Sequence, residues 1–348
     1  MWKKLAIFGL IALILSAVAI PLLFFVKFGD NTLLGVSSRS PVRPGGMGYS
    51  LQRFRDIENY HDVDVVFLGS SHCYRTYDPR VFAEYGLSAF NMGSTGQTPL
   101  NGYFLLKRYY DQLQPKLVVI DLVYRVMDRD GLESFYELSA NLSYSYEFAE
   151  MAMAVGSPHA YQQLANMWMR DHFGEGPPTR QRHRDGEAYI PGGLVTYTKP
   201  DPLHEDPAQE VVHGSQTIYP KKMQLDYVAK MVELVRAHGG KVVLVTKPEP
   251  RGNLTAITNY PEVSRQFAEF AEQIGVRFID FNQRDLPLNF REHFQKREYL
   301  SAKGQAVFNP ILIETLAEYG YFFEMPDFAA PSPEKNDGEF QKGADSLR

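Results

Sequence analysis

Two short segments of this sequence place small polar residues and glycines where a reacting group could be bound. GSSH at 69–72 follows a run rich in β-branched residues, and NMGS at 91–94 follows a second, shorter apolar run. A serine hydroxyl held at a sharp turn after a strand has the placement that a nucleophile needs. The backbone N–H of Gly93 and the Asn91 amide are donors of the kind that stabilise an oxyanion. We therefore expect Ser71, Gly93 and Asn91 to meet in one crevice, while a glycine-rich turn without a ligand fits the same residues.

A nucleophilic serine also needs a base within hydrogen-bonding reach, and two histidines are candidates for that role. His72 is adjacent to Ser71, and His293 precedes the last predicted helix. Successive side chains of an extended chain point to opposite sides, so His72 reaches Ser71 only if the turn is sharp. Otherwise His72 hydrogen-bonds within the turn. The sequence leaves His72 and His293 as alternative bases.

Strand patterns and helix patterns alternate along most of the chain and predict the scaffold for these residues. The predicted strands are 63–69, 89–92, 116–122, 241–246 and 276–281. The predicted helices are 79–85, 99–113, 219–238, 260–275 and 301–319, with Ser301 placed to cap the last one. Strands separated by helices predict a three-layer α/β/α domain with a mostly parallel sheet. Because the carboxyl ends of parallel strands share one edge, this fold brings both polar segments to the same crevice.

The segments VVFLGSSHCYRTYDP and FNMGSTGQTPLNGY resemble the first two sequence blocks of the SGNH-hydrolase superfamily. They are most similar to its membrane-anchored branch, near the D-alanyl-transfer protein of teichoic acid synthesis and the alginate O-acetylation proteins. The stretches 227–246 and 276–307 are similar to the same branch. The resemblance implies Ser71 as the nucleophile, with Gly93 and Asn91 as oxyanion donors.

The block before the last helix departs from the family pattern D-x-x-H-L. Lys296 stands where the family has Asp, and Tyr299 stands where it has His. A phenol, with an ordinary pKa of about 10, is a poor base near neutral pH. The family's third block, G-x-N-D, is not recognisable after the third predicted strand. The candidates for the group beside Ser71 are therefore Tyr299, at the expected position, and His72 or His293.

The N-terminus predicts a membrane anchor. Leu5–Val26 is an unbroken run of uncharged, mostly apolar residues. At about 1.5 Å per residue it reaches roughly 33 Å, which is enough to cross a hydrocarbon core of about 30 Å. Lys3 and Lys4 favour a short cytoplasmic N-terminus and an exported remainder. A cleaved signal peptide is the alternative, because Ala17-Val18-Ala19 fits the cleavage pattern, but the apolar run continues well beyond it.

These features divide the chain into parts. Residues 1–27 are the cytoplasmic tip and transmembrane anchor, 28–50 a linker rich in glycine, proline and serine, and 51–325 the α/β domain. An insertion at 123–218 is long enough to be functional or to carry its own small structure. The tail 326–348 has few apolar residues and is predicted to be disordered.

Composition argues against several classes of function. A net charge of −5 gives no reason to expect nucleic-acid binding. Cys73 is the only cysteine, so the chain has no internal disulfide and no cysteine metal cluster. The insertion contains five histidines without HxH or HxxxH spacing, namely His159, His172, His183, His204 and His213. We predict no cofactor and no metal.

These inferences predict an extracytoplasmic protein, held by a single membrane helix, that works on a cell-envelope polysaccharide or polymer. The resemblance implies that it takes part in O-acylation of that polymer, with Ser71 accepting the acyl group and a polymer hydroxyl receiving it. The resemblance implies a multi-pass membrane O-acyltransferase as the partner that delivers the acyl group. The altered last block leaves two alternatives open: an inactive domain that binds polymer or scaffolds a polysaccharide synthesis complex, and an esterase that removes acyl groups.

Overall fold

The computed structural model describes residues 2–28, 31–46, 48–199, 214–296 and 298–322. The α-helices in chain order are α1 Trp2–Phe25, α2 Leu33–Ser37, α3 Ser50–Asp56, α4 Pro79–Glu84, α5 Pro99–Leu113, α6 Leu132–Asn141, α7 Tyr146–Val155, α8 Pro158–Phe173, α9 Lys222–Ala237, α10 Arg251–Thr255, α11 Tyr260–Gln273, α12 Phe290–His293 and α13 Ala302–Glu318. The strands are β1 Lys27–Phe28, β2 Asn31–Thr32, β3 Val65–Leu68, β4 Ala89–Asn91, β5 Leu117–Asp121, β6 Glu187–Ile190, β7 Leu194–Tyr197, β8 Lys241–Thr246, β9 Arg277–Asp280, β10 Phe294–Gln295 and β11 Tyr299–Leu300. The tail predicted to be disordered, 326–348, lies outside the described residues.

The five predicted strands are confirmed, and they form one parallel sheet. Its spatial order is β4-β3-β5-β8-β9, which is 2-1-3-4-5 when its strands are numbered along the chain. The second strand in the chain, β4, lies on one side of β3, and the later strands β5, β8 and β9 lie on the other side. The crevice outside the carboxyl ends of β3 and β5 is therefore the topological switch point, where ligands bind in open α/β sheets.

Helices cover both faces of the sheet, so the predicted three-layer α/β/α architecture is confirmed. Strand side chains alternate between faces. One face packs on α5, α9 and α11 through residues that include Val66, Leu68, Val118 and Ile120. The other packs on α4 and α13 through residues that include Val65, Phe67, Leu117 and Val119. Because both faces are covered, every residue of β3 and β5 is buried.

Local sequence signals set the ends of several helices. Pro79 and Pro99 occupy the first turns of α4 and α5, where a missing N–H costs nothing. Asp78 caps α4 by accepting a hydrogen bond from the Arg80 N–H. Ser301 caps α13 by accepting one from the Gly304 N–H, as the sequence predicts.

The insertion between β5 and α9 carries its own secondary structure. Helices α6 to α8 extend the core on the α5 face of the sheet. The hairpin β6–β7 lies against the carboxyl edge of the sheet, where the Asn91 N–H donates to the Gly192 carbonyl at 2.8 Å. A Cβ on Gly193, which has a φ of +101°, would lie 2.2 Å from the Asn91 carbonyl oxygen. Only glycine allows this approach, which brings the hairpin over the switch point.

The N-terminal helix α1 is long and apolar enough to cross a membrane, with a mean hydropathy of 2.7 in its most apolar window. Its last turns contact α8. The segment predicted as a linker, 28–50, is packed over part of its length. Leu34 of α2 is buried beside α8, and the Thr32 hydroxyl donates to Asn166 Oδ1 at 2.8 Å.

Candidate functional site

The turn after β3 is tight, and it separates the two serines of GSSH. The Gly69 N–H donates to Gln97 Oε1 at 2.8 Å. A Cβ on Gly69 would lie 2.9 Å from the Cβ atoms of both Asp121 and Cys73, so a side chain does not fit there. Ser70 is turned inward and buried, whereas Ser71 is half-buried at the crevice.

The hydroxyl of Ser71 contacts a phenol. Ser71 Oγ lies 3.2 Å from the Tyr299 hydroxyl, which β11 presents just before α13. Burial, reinforced by the charge of Glu298, raises the pKa of Tyr299 well above its usual range. Because the phenol keeps its proton at neutral pH, it cannot accept the proton of Ser71 as a base. It can share a hydrogen bond with Ser71 and offer a second hydroxyl to a ligand.

The side chain of His72 contacts Ser70 and Glu298. Its Nδ1 lies 3.3 Å from Ser70 Oγ, and its Nε2 faces Glu298 Oε2 at 3.6 Å. Burial, together with the positive charge of Lys247, lowers the pKa of His72 and favours the neutral ring. Both ring nitrogens are therefore directed at groups other than Ser71.

The other predicted base, His293, belongs to the end of α12. Its Nδ1 accepts a hydrogen bond from the Asn289 N–H at 3.0 Å, and its carbonyl accepts one from the Ser301 N–H at 2.9 Å. These bonds hold the loop before α13. Among the described residues, no hydrogen bond joins His293 to Ser71. Lys296, at the expected Asp position, is exposed and has a φ of +50°.

The two predicted oxyanion donors form hydrogen bonds inside the turn. The Gly93 N–H donates to Asn91 Oδ1 at 3.0 Å, and Asn91 Nδ2 donates to the carbonyls of Cys73 and Tyr77. Gly93 does lie against the turn after β3, since a Cβ there would be 3.1 Å from the Gly69 carbonyl oxygen. An oxyanion bound by Gly93 would have to displace Asn91 Oδ1. The oxyanion role of Asn91 and Gly93 stays a prediction.

An arginine enclosed by tyrosines lies next to Ser71. The Arg75 guanidinium carbon is 4.4 Å from the ring centre of Tyr197, 5.1 Å from that of Tyr299 and 5.4 Å from that of Tyr74. Arg75 also forms an ion pair with Glu187 at 2.9 Å. Sequence reasoning missed this cluster, because Glu187 and Tyr197 come from the hairpin β6–β7 of the insertion. The only local signal is the position of Arg75 within the first polar block.

Two charged groups with little exposure, Glu298 and Lys247, lie behind Tyr299. Burial by itself would raise the pKa of Glu298, but the His72 ring, whose Nε2 is 3.6 Å away, and the charge of Lys247 hold that pKa well below its usual range. The Lys247 ammonium donates to the carbonyls of Pro248 and Glu298 at 3.0 and 3.1 Å. Glu298 is therefore a fixed negative charge beside Tyr299.

Asp121, at the carboxyl end of β5, differs from the other carboxylates of this region. Burial raises its pKa to about 7, partly offset by the charge of Lys247. The Asp121 carboxyl group therefore keeps its proton to a higher pH than an exposed aspartate does. It packs behind Gly69, on the inner side of the turn that carries Ser71.

The site presents hydrogen-bonding hydroxyls and aromatic rings at the topological switch point outside the carboxyl ends of β3 and β5. Ser71 and Tyr299 provide two hydroxyls that can both donate and accept. The half-buried rings of Tyr197 and Tyr299 provide apolar surface whose centres are 6.2 Å apart. Deprotonation of Ser71 is not supported in this arrangement, since its hydrogen-bonded neighbour is a protonated phenol.

No protein-family model and no curated protein matches this sequence. Solved structures similar to the chain include a GDSL-like lipase from Bacteroides thetaiotaomicron, with 13% identity and a TM-score of 0.40 over 78% of this chain and 98% of that one. A psychrotrophic esterase from Pseudoalteromonas has 10% identity and a TM-score of 0.38 over 74% and 98%. An acetyl-xylooligosaccharide esterase from Geobacillus has 13% identity and a TM-score of 0.36 over 78% and 99%. At these values the likenesses assign no role to any residue of this chain.

Proposed function

We propose that this chain is a membrane-anchored extracytoplasmic protein that binds a hydroxyl-rich envelope polymer at Ser71 and Tyr299, without transferring an acyl group through Ser71. The carrying observation is the 3.2 Å contact between Ser71 Oγ and the Tyr299 hydroxyl. A protonated phenol with a raised pKa fills the place at which a serine nucleophile needs its base.

The surroundings of Ser71 support a polysaccharide as the ligand class. A sugar ring presents hydroxyls around its edge and C–H groups on its faces. Ser71, Tyr299 and the fixed charge of Glu298 suit the hydroxyls, while the rings of Tyr197 and Tyr299 suit the C–H faces. The hairpin β6–β7 adds a wall to this crevice. In such a role the domain serves as the polymer-binding part of a membrane polysaccharide synthesis complex.

Affinity electrophoresis in gels that contain envelope polysaccharide from the source cells tests the binding. We expect the polymer to slow the wild-type protein, and Tyr299→Phe to weaken this effect, since the change removes one hydroxyl and keeps the ring. Tyr219→Phe is the matched control, because Tyr219 is 74% exposed and lies in the loop before α9. Equal retardation of wild type, Tyr299→Phe and a Ser71→Ala variant would contradict binding at this site.

The second candidate is O-acyl transfer through Ser71, with a multi-pass membrane O-acyltransferase as the donor. It is favoured by one observation: an imidazole and a carboxylate, His72 and Glu298, which adjoin Ser71 and Tyr299 in the sequence, lie 3.6 Å apart. A rotation that brought His72 to Ser71 would assemble a serine, a base and a carboxylate. An esterase would need the same rotation.

Intact-protein mass spectrometry after incubation with p-nitrophenyl acetate separates the two candidates. A binding domain gains no acetyl group at Ser71. An acetyl adduct that forms on the wild type and is absent from both Ser71→Ala and His72→Gln would establish the acyl-transfer candidate instead.

A further inference from the structure

Helix α8 exposes large apolar side chains along one side. Tyr161, Trp168 and Phe173 are 45%, 38% and 59% exposed. Tyr161 and Trp168 are seven residues apart and so lie on the same face of the helix, with Ala165 between them. Trp168 also contacts the Phe173 ring, with centroids 5.7 Å apart. We call the surface formed by Tyr161, Ala165, Trp168 and Phe173 the α8 aromatic face.

The α8 aromatic face is continuous with the contact between α8 and the anchor helix. Ala165 and Met169 of α8 pack in one cluster with Ile20, Leu23 and Phe24 of α1. Ala165 therefore belongs both to this contact and to the exposed face. Since α1 is held beside α8, any surface that α1 enters is also close to the α8 aromatic face.

The position of the contact along α1 gives the depth of α8. Ile20, Leu23 and Phe24 are part of the apolar run Leu5–Val26. At about 1.5 Å per residue, Ile20 lies roughly 9 Å before the end of that run. Helices that lie in the plane of a membrane insert about 5–10 Å into the boundary between headgroups and acyl chains. A helix packed on Ile20 and Phe24 is therefore at the depth of that boundary.

We propose that the α8 aromatic face lies in the lipid headgroup region of the membrane that α1 spans. Tryptophan and tyrosine favour this region, where the ring meets apolar atoms and its polar group meets water. The acidic residue of this turn, Asp171, is directed away from lipid, because it pairs with Arg170 at 2.7 Å and accepts a hydrogen bond from the Tyr144 N–H. Together, α1 and α8 fix the orientation of the α/β domain relative to the bilayer. This inference rests on the proposed membrane anchor.

The chain's two tryptophans, Trp2 and Trp168, make the test direct. A Trp2→Phe variant of the full chain leaves Trp168 as the only tryptophan. After reconstitution into phosphatidylcholine vesicles whose acyl chains carry bromine, we expect strong quenching of Trp168 emission. Bromine near the headgroup should quench more than bromine near the chain end.

The control places a single tryptophan outside α8. In the variant Trp2→Phe, Trp168→Phe, Tyr219→Trp, the only tryptophan replaces an exposed tyrosine and should be quenched by aqueous iodide and not by bromolipid. Trp168 emission that behaves like this control would overturn the proposal. Protection of Trp168 from both quenchers would also overturn it, since the face would then be covered by protein.

Extraction with alkaline carbonate separates this inference from the anchor itself. If the chain stays in the vesicles while Trp168 is not quenched by bromolipid, the anchor stands and only the lipid contact of α8 fails. Release of the chain by carbonate would overturn both.

Discussion

At the scale of single residues, the character of the site depends on which group contacts Ser71. The structure brings Tyr299 to 3.2 Å, while His72 and His293 form hydrogen bonds within their own turns. An imidazole in place of Tyr299 would change this, because it could accept the serine proton near neutral pH. We therefore expect the residue at position 299 to influence whether Ser71 can be deprotonated.

The double variant Tyr299→His, Lys296→Asp is expected to gain esterase activity, because it introduces the Asp and His of the SGNH-hydrolase pattern that the sequence resembles. A positioned base contributes about 10²–10⁴-fold in rate, so hydrolysis of p-nitrophenyl acetate should rise at least about 100-fold above wild type. Adding Ser71→Ala should abolish the gain. Activity that survives in the triple variant would show that the new histidine acts without Ser71.

The stability of the chain should depend on pH through Asp121. Its pKa is about 7 in the folded state against an ordinary value of 3.8. Between these values the folded state keeps a proton that the unfolded state has lost, so the free energy of unfolding falls as pH rises from about 4 to 7. Above about pH 7 both states are ionised, and this contribution levels off.

An Asp121→Asn variant removes that ionisation while keeping the shape of the side chain. Near pH 4 its melting temperature, measured in detergent, should be close to or below that of wild type. From pH 4 to pH 7 the melting temperature of the variant should rise relative to that of wild type. A difference between the two proteins that is the same at every pH would show that Asp121 ionises alike in the folded and unfolded chain.

At the scale of elements, the site is built where three separate segments meet. The turn after β3 supplies Ser71 and Arg75, the hairpin β6–β7 supplies Glu187 and Tyr197, and β11 supplies Tyr299. Asn91 of β4 stabilises this turn. Its Nδ2 donates to the carbonyls of Cys73 and Tyr77, and its Oδ1 accepts a hydrogen bond from the Gly93 N–H. Asn91 therefore stabilises the turn, whatever its role toward a ligand.

Asn91→Ala should destabilise the protein, in contrast to Ser71→Ala. Each buried polar group left without a partner costs about 1–3 kcal/mol, and Asn91 serves several. Ser71 is half-buried, and among the described residues its hydroxyl forms one hydrogen bond, so its replacement should change the free energy of unfolding by about 0.5 kcal/mol or less. Denaturant unfolding compares the free energies of unfolding of the two variants. Equal stability of both would contradict the proposal that Asn91 stabilises the turn after β3.

At the scale of the whole molecule, one apolar helix and one α/β domain are joined by a packed segment. Leu34 and Phe24 are buried against α8, so the domain is held close to the end of α1. With α1 in a membrane, the domain would keep a defined distance from the bilayer.

Lys3 and Lys4 predict the orientation across the membrane: we expect them to remain cytoplasmic and to leave the domain outside. Protease added to intact spheroplasts should digest the domain. Digestion only after the membrane has been broken would reverse the proposed topology.

The sequence by itself determined the local elements of this protein. The β-branched runs and helical periodicities predicted the five strands of the sheet and the helices α4, α5, α9, α11 and α13. These patterns can be recognised in the sequence because a helix or strand that buries one face must repeat apolar residues at a regular spacing along the chain. The glycines and serines after β3 placed the candidate site at the carboxyl edge of the sheet, since parallel strands all end there; that this edge binds a ligand stays a prediction.

Only the tertiary structure decided what the site is made of. Ser71 and Tyr299 are 228 positions apart, and Arg75 meets Glu187 across 112 positions. No local pattern specifies such contacts, because they depend on how the hairpin β6–β7 and the loop before α13 pack against the carboxyl edge of the sheet. The shifted pKa values of Tyr299 and Asp121 have the same origin, since burial and neighbouring charge exist only in the folded chain. The sequence left Tyr299, His72 and His293 as candidates for the group beside Ser71, and packing brought the Tyr299 hydroxyl to it.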